Sequence, residues 1–117
     1  MTPNGLDRLV GRGAIAPALL WSEATSVLHE LQWRRAISSE LAEAALEKLG
    51  QAPIRVRRSA RLRIEAWRLA TRFGWAKTYD AEYVALARLL DCPLLTIDAK
   101  LARAVAREVR VIGPADL

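Results

Sequence analysis

The stretch PLLTIDAKLARAVAREVRVI, from Pro93 to Ile112, contains a strand, a helix and a second strand in sequence. Its first residues, Pro93 to Ile97, form an apolar run of the kind found in buried strands. Asp98 follows as a capping residue, and the helix that it caps is predicted over Leu101 to Arg107. Val109 to Ile112 then alternates like a strand. Two strands joined by a helix predict a βαβ unit, so this stretch favours a parallel sheet.

The rest of the chain continues this alternation of short strands with amphipathic helices. Further strands are predicted at Ala14 to Ala16, closed by Pro17, and at Ile54 to Arg57. Helices are predicted from Ala18 to Arg35, from Ser38 or Ser39 to about Leu49 with Gly50 beyond its end, from Ser59 to Gly74, and onward from Thr78. The pattern predicts one α/β domain over residues 1–117, with helices on the faces of a short parallel sheet.

Composition narrows the classes of protein that fit. The 117 residues are enough for one compact domain and too few for two. No run approaches the roughly 18 apolar residues that a membrane span needs. Cys92 is the only cysteine, which excludes an internal disulfide and a zinc site built from cysteines. The start of the sequence lacks the basic and apolar regions of a signal peptide, so the cytoplasm is the expected compartment.

The formal net charge of +5 leaves two interpretations open. A small basic protein often binds a polyanion, because Lys and Arg that pair with phosphate release condensed counterions. A basic surface that only keeps the protein soluble fits equally well. The helix face of Arg61, Arg68 and Arg72 has the same two interpretations, and the solvated one is favoured. Trp67, one step off the apolar stripe of that helix, is expected to pack inside.

Three acidic residues occupy positions where a site can form. Glu23 is predicted in the first turn of the helix that follows the first strand, and Asp80 in the first turn of the helix capped by Thr78. Asp98 lies where a strand turns into a helix. In parallel α/β sheets, ligands bind at the edge formed by the carboxyl ends of the strands. Acids in a first turn also stabilise helices without any ligand, so capping remains the alternative for each residue taken singly.

Three segments resemble the PIN-domain family, and within it the VapC-type toxins. They are Ala16-Pro17-Ala18-Leu19-Leu20-Trp21-Ser22-Glu23, Thr78-Tyr79-Asp80-Ala81-Glu82-Tyr83-Val84-Ala85-Leu86-Ala87 and Cys92-Pro93-Leu94-Leu95-Thr96-Ile97-Asp98-Ala99-Lys100-Leu101. They occur in the order and at about the spacing found in that family, and the tail Val111-Ile112-Gly113-Pro114 also fits. The resemblance covers nearly the whole chain and implies a three-layer α/β/α fold.

The resemblance also implies a function and a set of site residues. Glu23, Asp80 and Asp98 match acids that hold Mg²⁺ or Mn²⁺, and Thr96 matches the hydroxyl residue beside the last acid. Hard divalent cations prefer such oxygen ligands. The implied activity is hydrolysis of RNA by the toxin of a toxin–antitoxin pair, with a cognate antitoxin as partner. Apolar surface on the first two predicted helices is available to that antitoxin or to a second copy of the chain, which predicts a homodimer. Two alternatives remain open: a non-catalytic module that binds an antitoxin or nucleic acid, and a plain basic nucleic-acid-binding domain.

Trp75 and Lys77 precede Asp80 and are the residues expected to border an RNA substrate. One departure from the family pattern concerns the start of the sequence. Members usually begin with an apolar strand that ends in Asp, whereas here Leu6 to Val10 has the pattern of a helix tail. The expectation is therefore that the first central strand, with its acid, is absent from this chain.

Overall fold

A computed structural model describes residues 13–116. The predicted helix tail at Leu6 to Val10, and the expected absence of a strand before it, fall outside these residues. The described elements are β1 (Ala14–Pro17), α1 (Leu19–Trp33), α2 (Ser39–Gln51), β2 (Ile54–Arg57), α3 (Ala60–Phe73), α4 (Tyr79–Leu90), β3 (Leu94–Leu95), α5 (Ala99–Val105), β4 (Val111–Ile112) and a 3-10 turn (Pro114–Asp116).

The strands pair in parallel, as the alternating pattern predicts. β1 pairs with β2 from Ala14 opposite Ile54 to Pro17 opposite Arg57. β3 pairs with β4, with Leu94 opposite Val111. Within residues 13–116 these are two separate two-stranded sheets. Helix α1 contacts both β1 and α2, while α4 contacts β1, β3 and α3, so the predicted α/β/α arrangement is confirmed.

The last two strands are shorter than predicted. The sequence indicated strands to Ile97 and from Val109, but the ladder holds only Leu94–Leu95 and Val111–Ile112. Thr96 still donates its N–H to the carbonyl of Ile112 at 3.1 Å. Its hydroxyl then accepts the N–H of Asp98, which turns the chain out of the sheet. Local side-chain hydrogen bonding therefore ends the strand where hydrophobic patterning alone would extend it.

The hydrophobic core lies mainly between α3 and α4. Its buried members are Leu62, Ala66, Leu69 and Ala70 of α3, Ala81, Val84, Ala85, Leu86 and Ala87 of α4, Leu94 of β3 and Val105 of α5. The many alanines let the two helix backbones approach closely. This packing fixes the position of α4 and hence of the acids in its first turn.

Most helix ends follow the predicted capping residues. The Ser38 and Ser59 hydroxyls accept backbone N–H groups of α2 and α3, and Gly74 ends α3 at φ 72°, in the left-handed region that glycine adopts readily. Two predictions were wrong. Gly50 lies inside α2, which continues to Gln51 before the chain extends towards Pro53, and the Thr78 side chain makes no capping hydrogen bond.

Several large apolar side chains are exposed. On α1 and α2 they are Val27, Trp33, Leu41 and Leu46. Trp67 is 71% exposed, so the prediction that it packs inside was wrong: it lies beyond the stripe of Leu62, Ala66 and Leu69 that faces α4. Among the described helices, none has the length and apolar character needed to cross a membrane.

Candidate functional site

Glu23 lies in α1, close to the carboxyl end of β1. The sequence placed it in the first helical turn, which was wrong: α1 begins at Leu19, so Glu23 is its fifth residue and begins the second turn. The helix dipole acts mainly on the first turn. Stabilisation of the helix end therefore does not account for this acid, which leaves its carboxylate available for another role.

Tyr83 of α4 holds the Glu23 carboxylate. The Tyr83 hydroxyl donates to Glu23 Oε1 at 2.8 Å, across sixty residues of sequence. Burial raises the pKa of Tyr83 well above its usual value, and the hydrogen bond to Glu23 and the negative charges of Glu23, Glu82 and Asp80 raise it further. The phenol therefore remains a hydrogen-bond donor throughout the neutral range. This contact fixes one Glu23 oxygen relative to α4.

Asp80 and Glu82 lie in the first turn of α4, and their charges also affect Tyr83. Asp80 is exposed, and its carboxylate accepts no hydrogen bond from the described residues. The pKa of Glu82 is raised, first by burial and then by the negative charge of Glu23. We call Glu23, Asp80 and Glu82 the acidic group. All three raise the pKa of Tyr83, and for Glu82 burial and the charge of Glu23 make the ionised state more costly than in water.

Asp98 caps α5, as predicted. Its Oδ1 accepts the N–H groups of Lys100 at 2.9 Å and Leu101 at 3.1 Å. The Thr96 hydroxyl accepts the N–H of Asp98 itself at 3.0 Å. These bonds all use Oδ1 or the backbone, so Oδ2 accepts no hydrogen bond from residues 13–116. Thr96 thus fixes the backbone that carries Asp98.

The predicted acids are only partly brought together. The charges of Glu23 and Asp80 both raise the pKa of Tyr83. Asp98 forms its hydrogen bonds at the start of α5 and is not part of the acidic group. In the described part of the chain, no three His, Cys, Asp or Glu residues form a group that could hold one metal ion. The structure thus supplies two neighbouring predicted acids and a third on a separate rigid turn.

The sequence profile of the PIN domain matches residues 6–107. This chain belongs to the PIN-domain family. Ribonuclease VapC1 of Mycobacterium tuberculosis is 39% identical over 108 residues, which cover 86% of this chain and 79% of that protein. Ribonuclease VapC3 of the same organism is 36% identical over 97 residues, which cover 83% of this chain and 69% of that protein. The resemblance inferred from the three sequence segments is confirmed.

The donor atoms of this PIN domain suit a hard divalent cation. Glu23, Asp80, Glu82 and Asp98 offer carboxylate oxygens, the ligand type that Mg²⁺ and Mn²⁺ prefer. The charge of Glu23 raises the pKa of Glu82, and a cation bound near both carboxylates would offset that repulsion. The type of donor atom therefore fits such an ion, whereas the described residues do not bring three of these acids together around one ion.

Two residues predicted to border the substrate lie before α4. Lys77 is exposed and forms no ion pair with the described residues. Trp75 is half-buried against the core, and its ring stacks on Phe73 with 4.8 Å between centroids. One face of the indole is thus occupied by Phe73, and a contact of either residue with RNA remains a prediction.

Sequence reasoning missed Tyr83 and Glu82. Both lie in the Tyr79-to-Ala87 segment that carries the family resemblance, and Tyr83 is three residues after Asp80, a spacing that places side chains on one helix face. That spacing was available as a signal. The partner of Tyr83 was not, because Glu23 is sixty residues away in sequence.

Proposed function

We propose that this PIN-domain protein is a divalent-metal-dependent endoribonuclease that acts as the toxin of a toxin–antitoxin pair in the cytoplasm. The observation that carries the proposal is the Tyr83–Glu23 hydrogen bond with Asp80 and Glu82 beside it, in a chain whose relatives are named ribonucleases. A structural ion pair does not explain this arrangement, because none of these acids is paired with a described Lys or Arg.

Glu23, Asp80 and Asp98 would hold the Mg²⁺ or Mn²⁺ ion. Such an ion lowers the pKa of bound water and offsets the charge that develops on a phosphodiester. The chain's own residues supply orientation. Tyr83 fixes Glu23 through its hydroxyl, and Thr96 fixes the backbone of Asp98, whose Oδ2 stays available. Lys77 would contact an RNA phosphate, and Trp75 would border the path of the strand.

The partner surfaces follow from the exposed apolar side chains of α1 and α2. Val27 is 54% exposed and Trp33 is 76% exposed, on a helix that buries no residue fully. Contiguous exposed apolar patches are typical of protein-binding surfaces. We propose that these exposed side chains contact the cognate antitoxin or a second copy of the chain, within a single PIN domain spanning the sequence.

Cleavage of a single-stranded RNA by the purified full chain tests the proposed function. We expect products with Mg²⁺ or Mn²⁺ and none when EDTA removes the metal, because the charge on the phosphodiester is then no longer offset. A chain that binds the RNA and yields no products with either metal would instead be a non-catalytic binding module.

Replacing Tyr83 by phenylalanine removes the hydroxyl that holds Glu23 and keeps the packed ring. We expect the metal-dependent rate, or the affinity for Mn²⁺, to fall about 10–100-fold, as is usual when a partner of a metal-binding side chain is lost. Tyr79→Phe is the matched control, since Tyr79 is exposed in the same helix and donates no hydrogen bond to a described residue. Equal effects of the two variants would show that Tyr83 does not position Glu23.

A further inference from the structure

Five arginines lie on β2 and at the start of α3. They are Arg55, Arg57, Arg58, Arg61 and Arg63, and all are exposed. No Asp or Glu occurs between Lys48 and Ile64. None of the five side chains forms an ion pair or hydrogen bond with another described residue, whereas Arg68 and Arg72 pair with Glu65 and Glu108. We call these five residues the arginine surface.

The arginine surface is unfavourable for the fold itself. Arg61 and Arg63 lie in the first turn of α3, where the helix dipole is positive and no acid is present. Cations there oppose the dipole. Residues that reduce stability in this way are typical of binding sites. A bound polyanion would remove this conflict.

The arginine surface begins at the end of β1–β2 from which α1 starts. Arg57 pairs with Pro17 in the parallel register, and α1, which carries Glu23, begins two residues after Pro17. Neighbouring strands lie about 4.8 Å apart, so the backbone of Arg57 is beside the entry to α1. The arginines therefore continue from the proposed catalytic end of these strands onto α3.

An exposed aromatic ring lies beside Arg63 of the arginine surface. Trp67 follows Arg63 by four residues, a spacing that places the two on one face of α3, and it is 71% exposed. Proteins that bind single-stranded nucleic acid combine a basic track for phosphates with aromatic rings on which bases stack. Arginine forks match phosphate oxygens in pairs. This combination favours single-stranded RNA over an acidic protein segment.

We propose that the arginine surface, with Trp67, binds the backbone of single-stranded RNA and leads the strand to the acidic group. The inference rests on the proposed ribonuclease function and names residues that hold the substrate outside the reacting centre. RNA binding measured in EDTA tests the arginine surface without any cleavage. RNA cleavage measured in Mn²⁺ tests the proposed ribonuclease function, so the two proposals can fail separately.

The experiment compares two triple variants of the full chain for binding of a labelled single-stranded RNA in EDTA at several salt concentrations. The test variant carries Arg57→Gln, Arg58→Gln and Arg61→Gln. The control carries Arg103→Gln, Arg107→Gln and Arg110→Gln, three exposed arginines that form no ion pair with a described residue. Arg107 and Arg110 line a cavity of about 680 Å³ before β4. Both variants lose the same charge.

We expect the test variant to bind at least roughly tenfold more weakly, with the slope of log K against log salt reduced by about 2, as for three lost phosphate contacts. Its Tm should stay level or rise by about 1–5 °C, since an unfavourable first-turn charge is removed. The control should keep most of its affinity and slope. Equal losses in the two variants, or unchanged RNA binding by the test variant, would overturn the proposal.

Two further measurements test whether the arginine surface and Trp67 are specific for RNA. Trp67→Ala should weaken RNA binding by at least about fivefold, whereas Trp33→Ala, which removes an equally exposed ring from α1, should not. A poly-glutamate peptide of matched charge should displace the RNA poorly. If it competes as well as unlabelled RNA does, the surface recognises negative charge in general, and the assignment to RNA is wrong.

Discussion

Asp98→Asn is expected to lower RNA cleavage by about 100-fold or more while leaving the protein folded. The lost carboxylate charge would no longer hold the cation, and a loss of about 3 kcal/mol in transition-state stabilisation corresponds to this factor. Asparagine caps helices about as well as aspartate, so the bonds to Lys100 and Leu101 can persist. Cleavage rate and thermal midpoint are measured together.

Asp98→Ala completes this comparison because it removes both the charge and the cap. We expect it to abolish cleavage equally and in addition to lower the free energy of unfolding by about 1 kcal/mol. If Asp98→Asn cleaves RNA like the unmodified chain and only Asp98→Ala is impaired, Asp98 is a helix cap and takes no part in the chemistry.

Leu69→Ala is expected to have the largest effect on stability. Leu69 is 2% exposed and lies at the centre of the packing between α3 and α4. Removing its side chain leaves a cavity that costs about 2–5 kcal/mol, a large part of the roughly 5–15 kcal/mol that stabilises a typical domain. Chemical denaturation of the full chain measures this loss.

Leu46→Ala is the matched control for Leu69→Ala. Leu46 lies on α2 and is 44% exposed, so the same truncation removes less buried area and should cost at most about 1 kcal/mol. Because α4 carries Asp80 and Tyr83, loosening its packing on α3 should also weaken metal-dependent cleavage. Equal losses of stability in the two variants would contradict the position assigned to the core.

The sequence predicts the elements well where local signals decide them. Ser59 and Gly74 mark the ends of α3, and Asp98 marks the start of the short helix α5, because capping depends on residues only a few positions apart. The strand after Pro93 was predicted too long, since hydrophobic pattern alone does not reveal that the Thr96 hydroxyl accepts the Asp98 N–H. The strand from Val109 was also predicted too long, because the Val109 N–H is donated to the Val105 carbonyl in the turn after α5.

For the acidic residues, the sequence predicted the candidates but not their contacts. Position and family resemblance identified Glu23, Asp80 and Asp98, whereas the residues near them in space could not be predicted. The Tyr83–Glu23 bond and the effect of Glu23 on Glu82 depend on how α1 and α4 pack, which involves residues sixty positions apart. In the helix face of Arg61, Arg68 and Arg72, the Arg72–Glu108 ion pair depends on such distant residues. Arg68 pairs with Glu65 of its own helix, and Arg61 belongs to the arginine surface.

The most direct test of the central claim is the rate of RNA cleavage by the full 117-residue chain as Mn²⁺ is added after EDTA treatment. Asp80→Asn is measured beside Asp91→Asn, a control at the other end of α4 where asparagine tolerates the left-handed backbone. We predict no cleavage in EDTA, a saturable rise with Mn²⁺ for the unmodified chain and for Asp91→Asn, and a rate at least about 100-fold lower for Asp80→Asn. Cleavage that persists in EDTA, or equal rates for the two variants, would contradict a metal-dependent ribonuclease built on these carboxylates.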